Sequence, residues 1–387
     1  MKSQLLDDLA DMIRTPSVNP FEGEMPVPAP EEAMAQLYET KLAALGLEVH
    51  SQPVSQGRRN VWGVLRGSGS GPTVMLAGHM DTVGVEGYDS PFDPVIRDGK
   101  IYGRGSCDMK AGLAAYLEVV RRLQDTGTTL KGDLILAAVV DEEHAMRGSN
   151  HFGLQGPKID HAIIAEPSEL AICPVHKGQM CFSLRTKGVS VHSSLPHKGI
   201  NAVNHMCRVV VALEDYAAEL ATRTPHPMAG LPTLNIGTIR GGNSVSSVAD
   251  WCMIDIDRRT IPGEDHGAVM DEIRAVVAAV AAAIPQMDYE FIIADLDVPA
   301  LGTPNSAPTV QALQAATTAV LGQSAEIRSF SGSTDAPNFR CEAVICGPGA
   351  LAQCHSLNEW VDVTQVEQAV DIYLHAVQAL QNEVQTP

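Results

Sequence analysis

The sequence predicts an α/β protein in which a sheet of buried strands carries most of the chain and a smaller domain of strands and helices is inserted into it. Two observations support this fold class. Short apolar runs bounded by polar loops recur at long intervals, as the buried strands of an α/β sheet do. After about residue 174 the pattern changes to amphipathic strands and helices. The runs that predict buried strands are 73–77, 133–140, 162–165 and 343–346.

Length and composition set the first limits. A chain of 387 residues exceeds the size at which one hydrophobic core keeps growing, so we expect two domains. The longest purely apolar stretch, 275–284, is too short to span a bilayer. Residues 1–14 have the pattern of an amphipathic helix and lack the features of a signal peptide. We therefore expect a cytoplasmic protein with no membrane partner.

Charge and cysteine content exclude further classes of protein. The net charge of -19 argues against nucleic acid or an anionic membrane as a partner, because phosphate contacts need clustered Lys and Arg. The 8 cysteines form no C-x-x-C pair and are spread along the chain, unlike those of a disulfide scaffold or a thiolate zinc site. We interpret most of them as small buried hydrophobic residues.

The inserted domain is predicted from the order of its elements. Both of its helices are apolar on one face only. A β-α-β-β-α-β order is the split βαβ motif, which forms a four-stranded sheet with helices on one face. The predicted elements are strand 179–187, helix 201–221, strands 233–240 and 251–259, helix 264–284 and strand 288–294.

Five residues able to bind metal ions stand at the ends of the apolar runs or at the start of a helix. In open α/β sheets, ligand sites lie beyond the carboxyl ends of the strands, so we expect these residues to converge. Two imidazoles and three carboxylates suit two metal ions, and one carboxylate can bridge a metal pair. The five residues are His79, Asp108, Glu143, Glu166 and His355.

The domain that holds these residues must be discontinuous, because three carboxylates precede the insert and one histidine follows it. We predict a catalytic, metal-binding domain from residues 1–176 and 295–387, and an inserted lid or dimerisation domain from residues 177–294.

Each motif also has an ordinary structural interpretation. The pair His79 and Asp81, two residues apart, is by itself a weak signal. Asp108 suits a helix N-cap, and the acids at 141–143 suit a solvated turn. A lone loop histidine such as His355 is commonly a surface residue. The combination favours a metal site, because five ligand-type residues rarely fall at matching strand ends by accident.

Other chemistries lack their motifs in this sequence. There is no G-x-S-x-G elbow, no Walker loop, no H-E-x-x-H and no G-x-G-x-x-G after a strand. Within 141–143, a glutamate that does not bind metal is placed to take a proton from a water activated by the metals.

These segments together resemble a known family, the two-zinc amidohydrolases and carboxypeptidases. It includes acetylornithine deacetylase, succinyl-diaminopimelate desuccinylase, aminoacylase and glutamate carboxypeptidase, and the chain is most similar to the acetylornithine deacetylase branch. The resemblance implies a mixed-sheet, zinc-peptidase-like catalytic domain with an inserted ferredoxin-like (split βαβ) lid or dimerisation domain. The segments that carry it are 75–83, 103–112, 141–143, 165–168, 332–335 and 347–359, with 166–203 indicating the branch.

The resemblance also implies roles for the metal ligands and their neighbours. His79 and Glu166 would hold one zinc, and Glu143 and His355 the other. Asp108 would bridge the two ions and precede a cis peptide bond. Cobalt or manganese are alternatives to zinc, because imidazole and carboxylate ligands suit several of these ions. The remaining implied roles are Asp81 as the residue that orients His79, and Glu142 as general base.

For the inserted domain, the resemblance implies that His192 stabilises the oxyanion and that Arg259 grips the substrate carboxylate. The alternative for Arg259 is a surface ion pair with Asp257 or Glu264. By the same resemblance, Asn243 and Ser246 would lie in a segment that contacts substrate, with Ser246 where relatives often carry Asn.

The implied reaction is hydrolysis of the amide bond of a small N-acyl amino acid by a homodimer formed through the inserted domain. One alternative is a carboxypeptidase or dipeptidase with the same two-metal site. Another is a non-catalytic binding protein on this scaffold.

Overall fold

The computed structural model describes residues 4–21, 29–55 and 57–382. The strands are β1 Glu48–Ser55, β2 Arg58–Leu65, β3 Val74–His79, β4 Val95–Arg97, β5 Lys100–Tyr102, β6 Leu134–Val139, β7 His161–Pro167, β8 Ile172–His176, β9 Gly178–Lys187, β10 Thr233–Gly241, β11 Trp251–Thr260, β12 Asp288–Val298, β13 Leu301–Gly302, β14 Ile327–Phe330, β15 Glu342–Gly347 and β16 Trp360–Asp362. The α-helices are α1 Gln4–Arg14, α2 Pro30–Ala44, α3 Lys110–Asp125, α4 Arg147–Gln155, α5 Ala202–Leu220, α6 His266–Ala283, α7 Pro308–Leu321 and α8 Val363–Asn382.

The amphipathic helix predicted at the start of the chain is α1, whose buried side includes Leu5, Leu9 and Met12. The first three residues of that prediction lie outside the described residues. Among the described helices, none combines the length and apolar character needed to cross a bilayer.

The larger compact unit comprises Met1–Val175, Gly302–Phe330 and Thr334–Pro387. Its main sheet has the strand order β1-β2-β6-β3-β7-β15-β8-β13, with β14 paired to β8. The central strands β6, β3, β7 and β15 are parallel, whereas β2 joins β6 and β8 joins β15 in antiparallel fashion. This is the mixed sheet that the resemblance implies, and each of the four apolar runs is one of its parallel strands.

Burial explains why those runs form the centre of the sheet. Every residue of β3 and β6 is buried, so their apolar side chains pack on both faces. The helix α3 lies directly against β7. A Cβ built on Gly112 of α3 would fall 2.3 Å from the Cβ of Ala165, so a larger residue would push the helix away. This close packing fixes the start of α3 next to the carboxyl end of β7.

The smaller compact unit comprises His176–Leu301 and Ser331–Ser333. Its antiparallel sheet has the order β10-β11-β9-β12. Alternate residues of β9 and β11 are buried, which gives the sheet one apolar face. That face packs in one core with α5 and α6, whose N-termini are capped by Asn201 and Asp265. The observed order β9-α5-β10-β11-α6-β12 is the predicted split βαβ order.

Candidate metal centre

Five polar segments meet at the carboxyl edge of the parallel strands. His79 is the last residue of β3, Glu166 lies near the end of β7, and Glu143 follows β6. Asp108 lies just before α3, and His355 lies in the loop after β15. Because the four strands are parallel neighbours, their carboxyl ends lie together, and the side chains of these segments converge there.

Asp108 lies between the two histidines. Its Oδ1 is 3.1 Å from Nε2 of His79, and its Oδ2 is 3.5 Å from Nε2 of His355. One carboxylate therefore presents a separate oxygen to each imidazole. The peptide bond between Asp108 and Met109 is cis, as the resemblance implies.

The glutamates complete two groups around this carboxylate. Nε2 of His355 lies 3.2 Å from Oε2 of Glu143, and Nε2 of His79 lies 3.7 Å from Oε1 of Glu166. Ligand atoms of His79, Asp108 and Glu143 all lie within 4.8 Å of one another. Oε2 of Glu142 is 4.0 Å from Nε2 of His79. The structure thus brings together all five predicted ligands and the predicted base.

The donor set fits divalent cations. Oε1 of Glu143 and Oε1 of Glu166 are buried and have no hydrogen-bond partner among the described residues. Buried carboxylate oxygens without donors are costly unless a cation balances them. Imidazole and carboxylate ligands suit zinc, cobalt and manganese alike. Bound divalent ions would balance the charge of these buried, unpartnered glutamate oxygens.

In the protein without bound cations, protons on the glutamates and histidines offset part of the buried negative charge. Burial raises the pKa of Glu142 and of Glu166 well above the usual value for glutamate. Burial, with repulsion from Asp108, raises the pKa of Glu143 to about 7. Hydrogen bonds to Asp108 and Glu143 raise the pKa of His355 to about 10. Such a cluster holds protons near neutral pH, and cations would displace them.

Asp81 connects three parts of this centre. Its Oδ1 accepts a hydrogen bond from the backbone N–H of Glu142 at 3.2 Å, and its Oδ2 accepts one from that of Glu143 at 3.1 Å. Nδ1 of His79 lies 3.0 Å from the backbone carbonyl oxygen of Asp81 but 3.6 Å from its carboxylate. The carbonyl is therefore the nearer partner of the ring, and the carboxylate mainly holds the turn at 142–143.

Glu359 is a residue of this region to which the sequence assigned no role. Its carboxylate is fully buried and accepts hydrogen bonds from the backbone N–H groups of Gly105, Cys107 and Asp108 at 2.9, 2.7 and 3.0 Å. The guanidinium of Arg104 donates to it at 2.8 Å. Glu359 therefore fixes the loop that carries Asp108. The only signal in the sequence was an acid four residues after His355.

The predicted substrate residues lie in the smaller unit. His192 is exposed, with Nδ1 2.7 Å from Oγ of Ser194. Arg259 lies 3.0 Å from Oδ2 of Asp257 and donates to Oγ of Ser333 at 3.3 Å. Of the two carboxylates that the surface-pair alternative allowed, the structure pairs Arg259 with Asp257.

The segment that is predicted to contact substrate is held by local contacts. Oδ1 of Asn243 accepts a hydrogen bond from the indole N–H of Trp251 at 3.2 Å. Oγ of Ser246 lies 2.9 Å from Oγ of Ser244.

Comparison with known proteins decides the family. A family model described as Peptidase family M20/M25/M40 matches residues 75–379, which is well over half of the chain. The chain belongs to this family. Membership of the M20 family confirms the predicted resemblance and fold class, and makes the chain a metal-dependent amidohydrolase.

Individual M20 relatives agree over nearly the full length. An acetylornithine deacetylase of Proteus mirabilis (strain HI4320) is 32% identical over 369 residues, which cover 92% of this chain and 91% of the relative. A tripeptidase of Staphylococcus aureus subsp. aureus Mu50 has the same fold, with a TM-score of 0.78 at 21% identity over 98% of both chains. A dinuclear metal-binding M20 peptidase of Bacillus subtilis matches with a TM-score of 0.71 at 16% identity over 98% of both chains.

Zinc binding to the apoprotein of this M20 enzyme is expected to strengthen as the pH rises from about 6 to about 8. The pKa of His355 is raised to about 10 by its hydrogen bonds to Asp108 and Glu143, and the pKa of His79 is also raised, whereas zinc binds only the neutral ring. Release of one or two protons corresponds to an affinity gain of about 10- to 100-fold per pH unit. The gain ends as the pH passes the pKa of His355, about 10.

Calorimetry in buffers of different ionisation enthalpy measures the protons released on zinc binding. His161→Gln is a matched control, because this histidine contacts Thr309 and Glu342 at the opposite end of β7 and its loss should leave proton release unchanged. A zinc affinity independent of pH would contradict the assignment of both histidines as ligands.

Proposed function

We propose that the chain hydrolyses the amide bond of a small N-acyl amino acid, giving a free carboxylate and a free amine. The observation that carries this proposal is the Asp108 carboxylate facing both imidazoles, with Glu142 beside the same cluster. The curated relatives named acetylornithine deacetylase support an N-acetylated amino acid as substrate.

The metal ligands follow from the two groups of side chains. His79 and Glu166 would hold one ion, Glu143 and His355 the other, and Asp108 would be shared between them. Zinc is the proposed metal, with cobalt and manganese as substitutes that the same donors accept. When bound, such ions lower the pKa of a water molecule and polarise the carbonyl of the amide.

Glu142 is the proposed general base. Its side chain is only 11% exposed, and burial raises its pKa well above the usual value for glutamate, which makes the carboxylate a stronger proton acceptor. It would take the proton of the attacking water and then give that proton to the departing amine. The hydrogen bond from its backbone N–H to Asp81 keeps the turn that carries it in place.

The inserted unit supplies the proposed substrate contacts. His192 would donate a hydrogen bond to the developing oxyanion, and Arg259 would bind the substrate carboxylate, sharing its guanidinium with Asp257. Asn243 and Ser246 would lie along the substrate. We further propose that this unit acts as a lid and forms a homodimer, with His192 serving the partner's site.

The second candidate function is hydrolysis of a peptide bond by the same residues. Its support is the fold shared with a tripeptidase and with an M20 carboxypeptidase of Sulfolobus solfataricus, which has a TM-score of 0.75 at 16% identity. A carboxypeptidase or dipeptidase would use the same two-metal site and differ only in the pocket for the acyl group.

A substrate panel separates the two functions. The purified, zinc-loaded protein is expected to hydrolyse N-acetyl amino acids such as N-acetylornithine with a kcat/KM at least about tenfold above that for N-succinyl amino acids and dipeptides. A tenfold preference for dipeptides would favour the peptidase. Absence of turnover of every compound by protein that contains both metals would refute both.

A further inference from the structure

We infer that Asn19 is a positioning residue of this centre, acting through Asp81 on the turn that carries Glu142 and Glu143. The inference rests on the proposed roles of those two glutamates. It adds a residue from the beginning of the chain to a site built otherwise from strand ends. Asn19 lies before the region matched by the family model, which starts at residue 75.

The contacts of the Asn19 side chain carry this inference. Asn19 is fully buried, and its Nδ2 donates to Oδ2 of Asp81 at 2.8 Å and to Oδ1 of Asp141 at 3.1 Å. One amide group thus uses its two hydrogens on two buried carboxylates. Its own oxygen accepts a hydrogen bond from the N–H of Phe21 at 2.8 Å, which fixes the orientation of the amide.

The two carboxylates that Asn19 joins flank the proposed base. Asp141 directly precedes Glu142 and receives charge compensation from Arg58 at 2.8 Å and Arg147 at 3.0 Å. Asp81 is held by N–H donors, namely the Asn19 amide and the backbone groups of Glu142 and Glu143. Loss of the Asn19 amide would remove the side-chain hydrogen bond that the Asp81 carboxylate accepts, and would leave two close buried carboxylates to repel each other.

The segment that carries Asn19 is itself anchored to the centre. The N–H of Asn19 donates to the carbonyl of Thr82 at 2.8 Å, and the N–H of Thr82 donates to the carbonyl of Ser17 at 3.0 Å. Oγ of Ser17 donates to the carbonyl of Met80 at 2.7 Å. These bonds pair residues 17–19 with residues 80–82, so the amide reaches Asp81 from a fixed backbone.

Lys110 provides a second anchor for this segment. Its side chain is fully buried, and Nζ donates to the carbonyls of Met12 and Thr15 at 3.0 Å each. Lys110 lies two residues after Asp108, at the start of α3. The segment before Asn19 is therefore hydrogen-bonded to Lys110, which follows the loop of Asp108. Asn19 itself is hydrogen-bonded to Asp81, which holds the turn that carries Glu142.

A purely structural role is the alternative, and matched variants distinguish it. Asn19→Asp keeps the shape of the side chain but replaces a donor of two hydrogen bonds with a third carboxylate. Gln381→Ala is the control, since Gln381 is another buried carboxamide and donates to the carbonyls of Pro72 and Asp133 at 2.9 and 3.3 Å.

For Asn19→Asp we expect the zinc dissociation constant to rise and kcat to fall by about 10- to 100-fold each, with KM changed by less than about twofold. Zinc affinity is measured by titrating the apoprotein against a chromophoric chelator, so this readout does not depend on which amide is the substrate. Gln381→Ala should lower the melting temperature but leave the zinc affinity and kcat unchanged.

Zinc affinity and kcat of Asn19→Asp that equal those of the unaltered protein would overturn the inference. So would equal losses of both in Asn19→Asp and Gln381→Ala, which would indicate a general effect on folding. If Asn19→Asp does not fold, Asn19→Ser provides a shorter donor and should retain part of the zinc affinity. Failure of both variants to fold would show that Asn19 is needed for the fold instead of the site, and would also overturn the inference.

Discussion

Glu142→Gln is expected to lower kcat by about 10²- to 10⁴-fold while the protein still binds its full complement of zinc. Glutamine has nearly the same shape as glutamate but cannot accept a proton from water or pass one to the amine. The hydrogen bond from the N–H of residue 142 to Asp81 involves the backbone and survives the substitution. Steady-state kinetics on an N-acetyl amino acid and elemental analysis of the same preparation measure the two quantities.

The matched control is Glu39→Gln, which makes the same chemical change in a partly exposed ion pair with Arg59. It should leave kcat unchanged. If Glu142→Gln retained the activity of the unaltered protein, Glu142 would not be the base. If it lost zinc as well as activity, Glu142 would instead belong with the metal ligands.

The sequence predicted the part of this centre that depends on strand positions. The runs before His79, Glu143 and Glu166 are continuous apolar segments, and such segments form buried parallel strands whose carboxyl ends meet at one edge. The convergence of these ligands follows from that single rule. The position of each ligand at the end of its strand, or just after it, needed no knowledge of side-chain contacts.

The residues that support the ligands could not be predicted in this way. Asn19 and Glu359 owe their importance to hydrogen bonds with residues more than 60 and 250 positions away, respectively. Asn and Glu in polar loops are common, and nothing in local spacing shows which backbone groups they will meet. Their roles become visible only when burial and partners are known together.

The boundary of β12 shows a similar limit. The prediction ended this strand at residue 294, whereas the structure continues it to Val298. The pairing of β12 with β9 shifts register between Ile293 and Asp297, so the alternation of side chains is interrupted there. A prediction that relies on alternating side chains ends the strand at such an irregularity, although the hydrogen-bonded pairing of the two strands resumes beyond it.

Asp108→Asn is expected to lower both the number of bound zinc ions and kcat/KM, the latter by at least about 100-fold. The carboxylate faces both histidines, with one oxygen 3.1 Å from His79 and the other 3.5 Å from His355. An asparagine has one oxygen and one NH₂ group, so it can present an acceptor to only one of the two groups. The substitution of Asp108 by Asn also removes one negative charge from a site that must balance two divalent ions.

Elemental analysis after dialysis against a dilute chelator should show the loss, with at most one ion retained per chain. Asp160→Asn is the control, because this carboxylate accepts a hydrogen bond from the N–H of Thr73 at 2.8 Å. Asp160 and Thr73 directly precede β7 and β3, so they lie at the amino ends of these strands, away from the metal centre. It should keep the full zinc content. Two firmly bound ions in Asp108→Asn would mean that the metals do not share this carboxylate, and the pairing of His79 with Glu166 and of Glu143 with His355 would then describe two independent sites.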